Sequence, residues 1–242
     1  MIGTTLLECK NLLKTKMKIT VFFLLIVLLS GTGLLVAQEI LTATDYFDSI
    51  SEQYGAVNDY QADIIISRED EEMIGTLYYK TPNLLRIDFS EPEEQVLAID
   101  GEQLTIYLPQ HSVIMQQELK RHSSATVATM ASNQGLHLLR RNYSIAYLEG
   151  PEPVPLEEDS REMVIKLKLV ARTANAGFRQ LELSVGENGL IRRIIGVTLG
   201  YEDLQFDFEN LVINRGIPDA RFDYESPASA NVFDNFLFEP EG

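Results

Sequence analysis

The sequence predicts a mainly β protein with some α (α+β): one antiparallel sheet with an apolar and a wet face, preceded by a helix and interrupted by a short helical insertion. Three observations predict it. Apolar residues recur at every second position in five separate runs beyond residue 84. Turn-forming residues stand between the runs. A long helical spacing occurs once, ahead of all of them.

In chain order, Lys10, Lys14, Lys16 and Lys18 precede an apolar run from Ile19 to Leu29, then the small residues Ser30–Gly33 and Leu34-Leu35-Val36-Ala37. A basic, an apolar and a small-residue region in that order predict a cleavable signal peptide over 1–37, with Gln38 as the mature N-terminus of an exported chain. Met17-Lys18 also reads as a natural start, with 1–16 as an upstream extension. The rival reading is a retained anchor, for which the apolar run is short. From Leu41 to Val57, Leu41, Tyr46, Phe47, Ile50, Tyr54 and Val57 fall on one helical stripe. Thr44 or Asp45 is the expected cap, and Gly55 or Asn58 the expected end.

The period then changes to two. Leu85, Ile87 and Phe89 alternate with Arg86 and Asp88; Leu104, Ile106 and Leu108 with Thr105 and Tyr107. The same holds for Ile165–Leu169, Leu181–Val185 and Leu204–Phe208. Thr81-Pro82-Asn83, Glu91-Pro92, Asp100-Gly101 and Gly186–Gly189 supply the turns. Residues 123–141 predict one or two short helices around Gly135. The Pro- and Glu-rich stretch 150–160 predicts a solvated loop. The tail beyond Pro227 carries Phe233, Phe236, Leu237 and Phe238, and is expected to pack over the open edge of the sheet. One apolar sheet face with so little helix to cover it leaves two solutions: a closed barrel, or an incomplete one capped by helices. Either can enclose a greasy cavity or be filled by its own side chains.

Composition narrows the function. Removing 1–37 takes four Lys and one Glu from the 20 basic and 36 acidic residues, moving the net charge from −16 to −19. Such a chain repels nucleic acid and anionic membranes, and is expected to be a soluble monomer. Cys9 is the only cysteine and precedes the apolar run, so the mature chain has no thiol and no lipidation site. His111, His122 and His137 lack metal-ligand spacing, and no hydrolase, zincin or P-loop motif occurs. Asp45 and Asp48 fit the first turn of a helix, and Glu69–Glu72 a hairpin tip. Asn142-Tyr143-Ser144 fits a glycosylation sequon. No enzyme activity, metal or cofactor is expected.

Gly75-Thr76-Leu77-Tyr78-Tyr79-Lys80-Thr81-Pro82-Asn83-Leu84-Leu85 resembles the LolA family of periplasmic lipoprotein carriers. The likeness continues through Glu91-Pro92, Val96-Leu97, Asp100-Gly101 and Leu104–Pro109. It resumes at Val185–Ile191 and ends at Ile217–Tyr224 with Pro227, which resembles the family's closing strand. The segment 120–160 matches only in outline. The resemblance implies a strongly curved, incomplete β-barrel (a half-barrel) with an N-terminal helix and a short helical lid, formed by a single domain over 38–242. It implies a cavity that shields the acyl chains of lipoproteins, and two partners: an inner-membrane ABC-type release complex and an outer-membrane receptor. Leu85 and Leu97 match lining positions of the family's cavity. The alternation adds Ile87, Phe89, Ile99, Leu104 and Ile106 to that face, with Val127, Met130, Leu136 and Leu139 in the lid. Three acyl chains expose on the order of several hundred Å² of apolar area, worth about 25 cal/mol per Å² when shielded. Familiar members carry an Arg directly before the motif's Pro, where it latches the lid; here it is Thr81, so the latch is absent or moved, for instance to Arg86. Other readings of the same pattern are a carrier of another lipid or glycolipid, a lipid- or peptide-sensing regulatory domain, and an envelope protein with a filled interior.

Overall fold

Alternating runs become strands because the ladder pairs the backbone while one face is buried and the other solvated. The strands are β1 (Asp59–Arg68), β2 (Glu71–Lys80), β3 (Leu84–Glu91), β4 (Val96–Ile99), β5 (Gln103–Leu108), β6 (Val113–Glu118), β7 (Tyr143–Tyr147), β8 (Val154–Pro155), β9 (Met163–Ala171), β10 (Phe178–Gly186), β11 (Ile191–Thr198), β12 (Asp203–Ile213) and β13 (Asn231–Asp234). The helices are α1 (Ala43–Gly55) and α2 (Asn133–Asn142). The computed structural model describes residues 41–119, 131–173 and 176–235. The expected signal peptide, with its cut after Ala37, therefore lies outside the described residues.

All the strands join one 13-stranded sheet, in the order β13-β6-β5-β4-β3-β2-β1-β12-β11-β10-β9-β7, with β8 also on β9. Its end strands β7 and β13 do not pair, so the barrel is incomplete. Every ladder is antiparallel except β13 on β6, which is parallel. The β1–β12 ladder joins the early strands to the late ones, with Ile64 opposite Phe208 and Ile66 opposite Phe206. Of the two solutions, the chain adopts the incomplete barrel. Phe47, Ile50 and Tyr54 of α1 and Leu136 and Leu139 of α2 share one core with Leu77, Leu85 and Ile87 of β2 and β3 and with Leu167, Leu169, Leu181 and Leu183 of β9 and β10. The helices therefore cover the apolar face that strand pairing alone leaves open.

Glycine is needed where backbones or side chains crowd. A Cβ on Gly75 would lie 2.6 Å from the Asp88 carbonyl oxygen, beside the register shift between β2 and β3. Gly189 has φ +73° and a Cβ there would lie 2.0 Å from Gln53 Oε1. That close approach lets Gln53 Nε2 donate to the Asn188 carbonyl at 2.7 Å, tying α1 to the β10–β11 turn.

Several expectations are corrected. The cap of α1 is Thr42, not Thr44 or Asp45: its Oγ1 accepts from the Asp45 N–H at 3.2 Å and donates to the Asp45 carboxylate at 2.6 Å. Asp45 thus answers the cap from the first turn. The stretch 150–160 is not wholly loop, because Val154 and Pro155 pair with Val164 and Met163. Residues 217–224 are not a closing strand. They form an extended segment with a 3-10 turn (Asp219–Arg221) lying across the outer face of β2 and β3. The tail does meet the open edge of the sheet, through β13 on β6, while Phe236, Leu237 and Phe238 lie outside the described residues.

Candidate lipid-binding site

Strand register assembles the expected lining into rows. Leu85 stands opposite Tyr79 and Ile99, and Ile99 opposite Leu104. Ile87 stands opposite Leu77 and Leu97, Leu97 opposite Ile106, and Ile106 opposite Met115. Phe89 faces Gly75. Directly paired residues point to the same side of a sheet, so all seven named strand positions share the inner face.

Burial divides the seven. Leu85, Ile87 and Ile99 are at most 1% exposed, and Leu104 and Phe89 are buried with them. Leu97 and Ile106 are only half-buried, packed against the same core. Five positions therefore build the interior, each contributing roughly 1.5–3 kcal/mol by burial. Leu97 and Ile106 keep apolar surface within reach of a ligand. The interior carries little charge to oppose one. The buried Asp59 and Asp207 alternate with the inner Tyr60, Phe206 and Phe208 and so face away from the interior, where Asp59 accepts from the backbone N–H groups of Arg215 and Gly216 and Asp207 pairs with Arg193.

Leu136 and Leu139 are buried where α2 meets the core; Val127 and Met130 lie outside the described residues. Ser132 caps α2 by accepting from the Gly135 N–H at 3.1 Å. Asn133 Nδ2 donates to the Ser51 carbonyl at 3.2 Å, and Arg140 pairs with Asp48 at 2.7 Å, so both ends of α2 are fixed to α1. Sequence reasoning did not single out Tyr79. Its hydroxyl hydrogen-bonds Ser132 and donates to the Pro82 carbonyl at 3.3 Å, joining β2 to the α2 cap. Burial raises its pKa, and the Ser132 contact offsets part of that rise. Met115 and the buried Gln117 of β6 were also missed, because Met115-Gln116-Gln117 shows no clean alternation.

Among the described residues the Thr81 side chain makes no latch; its backbone N–H donates to the Asn58 carbonyl at 2.8 Å. Arg86 has not taken over that role either. It points outward, where Nε pairs with Asp88 at 2.7 Å and Nη1 donates to the Asp223 carbonyl at 2.9 Å. Arg221 completes this outer cluster by pairing with Asp88 and lying 4.0 Å from the Tyr78 ring centroid. Among the described residues no group of three or more His, Cys, Asp or Glu is placed to hold a metal. His111 and His137 are exposed; His122 lies outside the described residues.

The family model for the outer membrane lipoprotein carrier protein LolA matches residues 66–225. The outer-membrane lipoprotein carrier protein of Hahella chejuensis is 25% identical over 162 residues, covering 67% of this chain and 72% of that protein. The protein of the same description from Pseudomonas aeruginosa is 26% identical over 164 residues, with the same coverage of each, 67% and 72%. A crystal structure of an uncharacterized conserved protein from Thermus thermophilus shares the fold with a TM-score of 0.50 at 14% identity, over 78% of this chain and 96% of that one. The family match spans the strands that build the inner face and the outer segment that braces them, and the chain belongs to the LolA family of outer-membrane lipoprotein carrier proteins.

Proposed function

We propose that residues 38–242 are a single periplasmic carrier domain, exported by a cleaved signal peptide over 1–37. It shields the acyl chains of lipoproteins against the inner face of the incomplete barrel and moves them from the inner to the outer membrane. The inner-membrane ABC-type release complex and the outer-membrane receptor are its proposed partners, and it works as a monomer without catalysis or cofactor. No helix among the described residues is long and apolar enough to cross a membrane. One observation carries the reading: in a member of this family, Leu97 and Ile106 extend the buried row of Leu85, Ile87 and Ile99 to a half-buried position. An acyl chain laid there continues an apolar surface that already exists, and gains by leaving water.

The test is a Leu97→Glu variant purified from the native host beside the parent, with bound lipid identified by mass spectrometry. The parent is expected to carry acylated cargo, and the folded variant at least tenfold less. A folded variant with undiminished cargo would remove Leu97 from the site. The cargo's mass also separates a lipoprotein from a glycolipid or free lipid, and N-terminal sequencing tests the cut after Ala37.

A further inference from the structure

A second apolar surface lies on the opposite side of the sheet. Val170 and Val197 are both register partners of Gln180, while their neighbours Leu169, Leu181 and Ile194 belong to the inner core. At this end of β9, β10 and β11 a groove of about 670 Å³ is lined by Val170, Val197, Leu199 and Tyr201 together with Arg172 and Arg179. Val170, Leu199 and Tyr201 are 46, 56 and 72% exposed. Singly, such residues are ordinary on a surface; three around one groove mark a contact site.

The arginines give the groove its sign. Arg179 lies 4.1 Å from the Tyr201 ring centroid, and Arg172 Nε donates to the Tyr143 carbonyl at 3.0 Å. Both guanidinium groups are thus steadied without being neutralised. Neither has a carboxylate within ion-pair distance among the described residues, whereas Arg86, Arg192 and Arg193 each hold one. In a chain of net charge −16, two arginines without a carboxylate partner among the described residues, beside exposed apolar surface, make a local site of opposite sign.

We propose that this outer groove binds an anionic amphiphile, with one acyl chain along Val170, Val197 and Leu199 and a phosphate or carboxylate head held by Arg172 and Arg179. A planar guanidinium suits an oxyanion of either kind. The acidity of the whole chain repels anions at a distance, so the head alone is not enough and the chain must contribute. The proposal is independent of the inner site.

The probe is decyl phosphate below its micelle concentration, titrated into the full mature chain and followed by backbone amide shifts. A Leu97→Glu background removes the inner face from the measurement. Saturable binding is expected, with shifts centred on β9–β11 and affinity at least tenfold above both decyl maltoside and inorganic phosphate. Arg179→Gln is expected to weaken it about tenfold, the scale of a lost charge-assisted hydrogen bond. Arg172→Gln should do the same. Because Arg172 also braces Tyr143, whereas Arg179 has no hydrogen bond or ion pair among the described residues and lies over the Tyr201 ring, Arg179 is the decisive variant. Equal binding of the neutral detergent, equal binding of inorganic phosphate, or indifference to Arg179→Gln overturns the proposal. Vesicles of phosphatidylglycerol and of phosphatidylcholine then separate the sources. The occupant is a single free amphiphile, since the acidic chain repels an anionic bilayer: decyl phosphate binding without vesicle binding is expected, and Arg179-dependent binding to the phosphatidylglycerol vesicles overturns it. Vesicle binding without decyl phosphate binding also overturns the proposal.

Discussion

Leu85 and Leu97 sit on one face of neighbouring strands, but only Leu97 keeps part of its surface in solvent. Leu85, fully buried, holds the fold, and Leu97 is free to meet a ligand. Leu85→Ala should therefore cost about 2–5 kcal/mol, since it leaves a cavity in close-packed surroundings. Leu97→Ala should cost about 1 kcal/mol or less, because water already covers part of it. Urea midpoints of the two variants check the order, and equal losses would erase the distinction between core and site. Leu85→Glu is for the same reason a poor probe of function: it puts a charge where no partner waits. Buried tyrosines divide in a similar way. The Tyr54 hydroxyl accepts from the Ile191 N–H at 3.0 Å, while the Tyr60 hydroxyl is buried with no partner among the described residues. Tyr54→Phe strands a buried N–H and should cost about 1–3 kcal/mol. Tyr60→Phe removes an unsatisfied group and should stay within about 1 kcal/mol of the parent. The face of each of these side chains was legible from alternation or helical spacing. Its depth was not, since depth depends on how far the sheet and helices cover it.

Among the elements, strands with clean alternation were legible and the others were not. Ile64-Ile65-Ile66 in β1 is an unbroken apolar run that hides its period of two, and β8 and β13 are too short to show one. The outer segment 217–224 was legible as a motif but not as a structure, because its partners are remote in sequence. Lys80 Nζ donates to the Ile217 carbonyl at 2.7 Å and meets Asp219 at 2.5 Å. The segment departs from the sheet at Asp59. The carboxylate of Asp59 accepts from the Arg215 N–H at 2.8 Å and the Gly216 N–H at 3.0 Å, and its carbonyl from the Asn214 N–H at 2.7 Å. Asp59→Ala leaves two backbone donors unpaired in a part-buried turn. A loss of about 1–3 kcal/mol is expected. Hydrogen exchange localises it: amides from Arg221 to Tyr224 should speed up while those of β10 do not. Uniform acceleration across both would mean that Asp59 supports the whole fold rather than this segment.

Across the whole molecule, the ordered set of motifs made the family legible, while the sequence left open how the sheet would be covered. The structure covers it with two helices, of which α1 brings Tyr46 and Tyr54 against the core beside Tyr60 of β1, and that arrangement has a consequence at high pH. Burial pushes the Tyr54 and Tyr60 hydroxyls well above their ordinary value, and Tyr46 is pushed up to about 12 by burial and by the neighbouring Tyr147. In each case the folded protein disfavours the phenolate. Unfolded tyrosines titrate near 10. Below that pH both states keep their protons and the contribution is fully present. As pH rises from 10 through 12, the unfolded chain loses protons that the folded chain retains, so stability falls. Each such group contributes a slope of up to about 1.4 kcal/mol per pH unit above 10. Urea midpoints should therefore be flat from pH 8 to 9 and drop steeply between 10 and 11. Lysines also titrate in that range, so the decisive comparison is with Tyr60→Phe, which lacks one buried phenol and should fall less steeply while matching the parent at pH 8. Parallel curves for the two proteins would mean that the Tyr60 hydroxyl ionises in the folded state, and that the core around it is open to water.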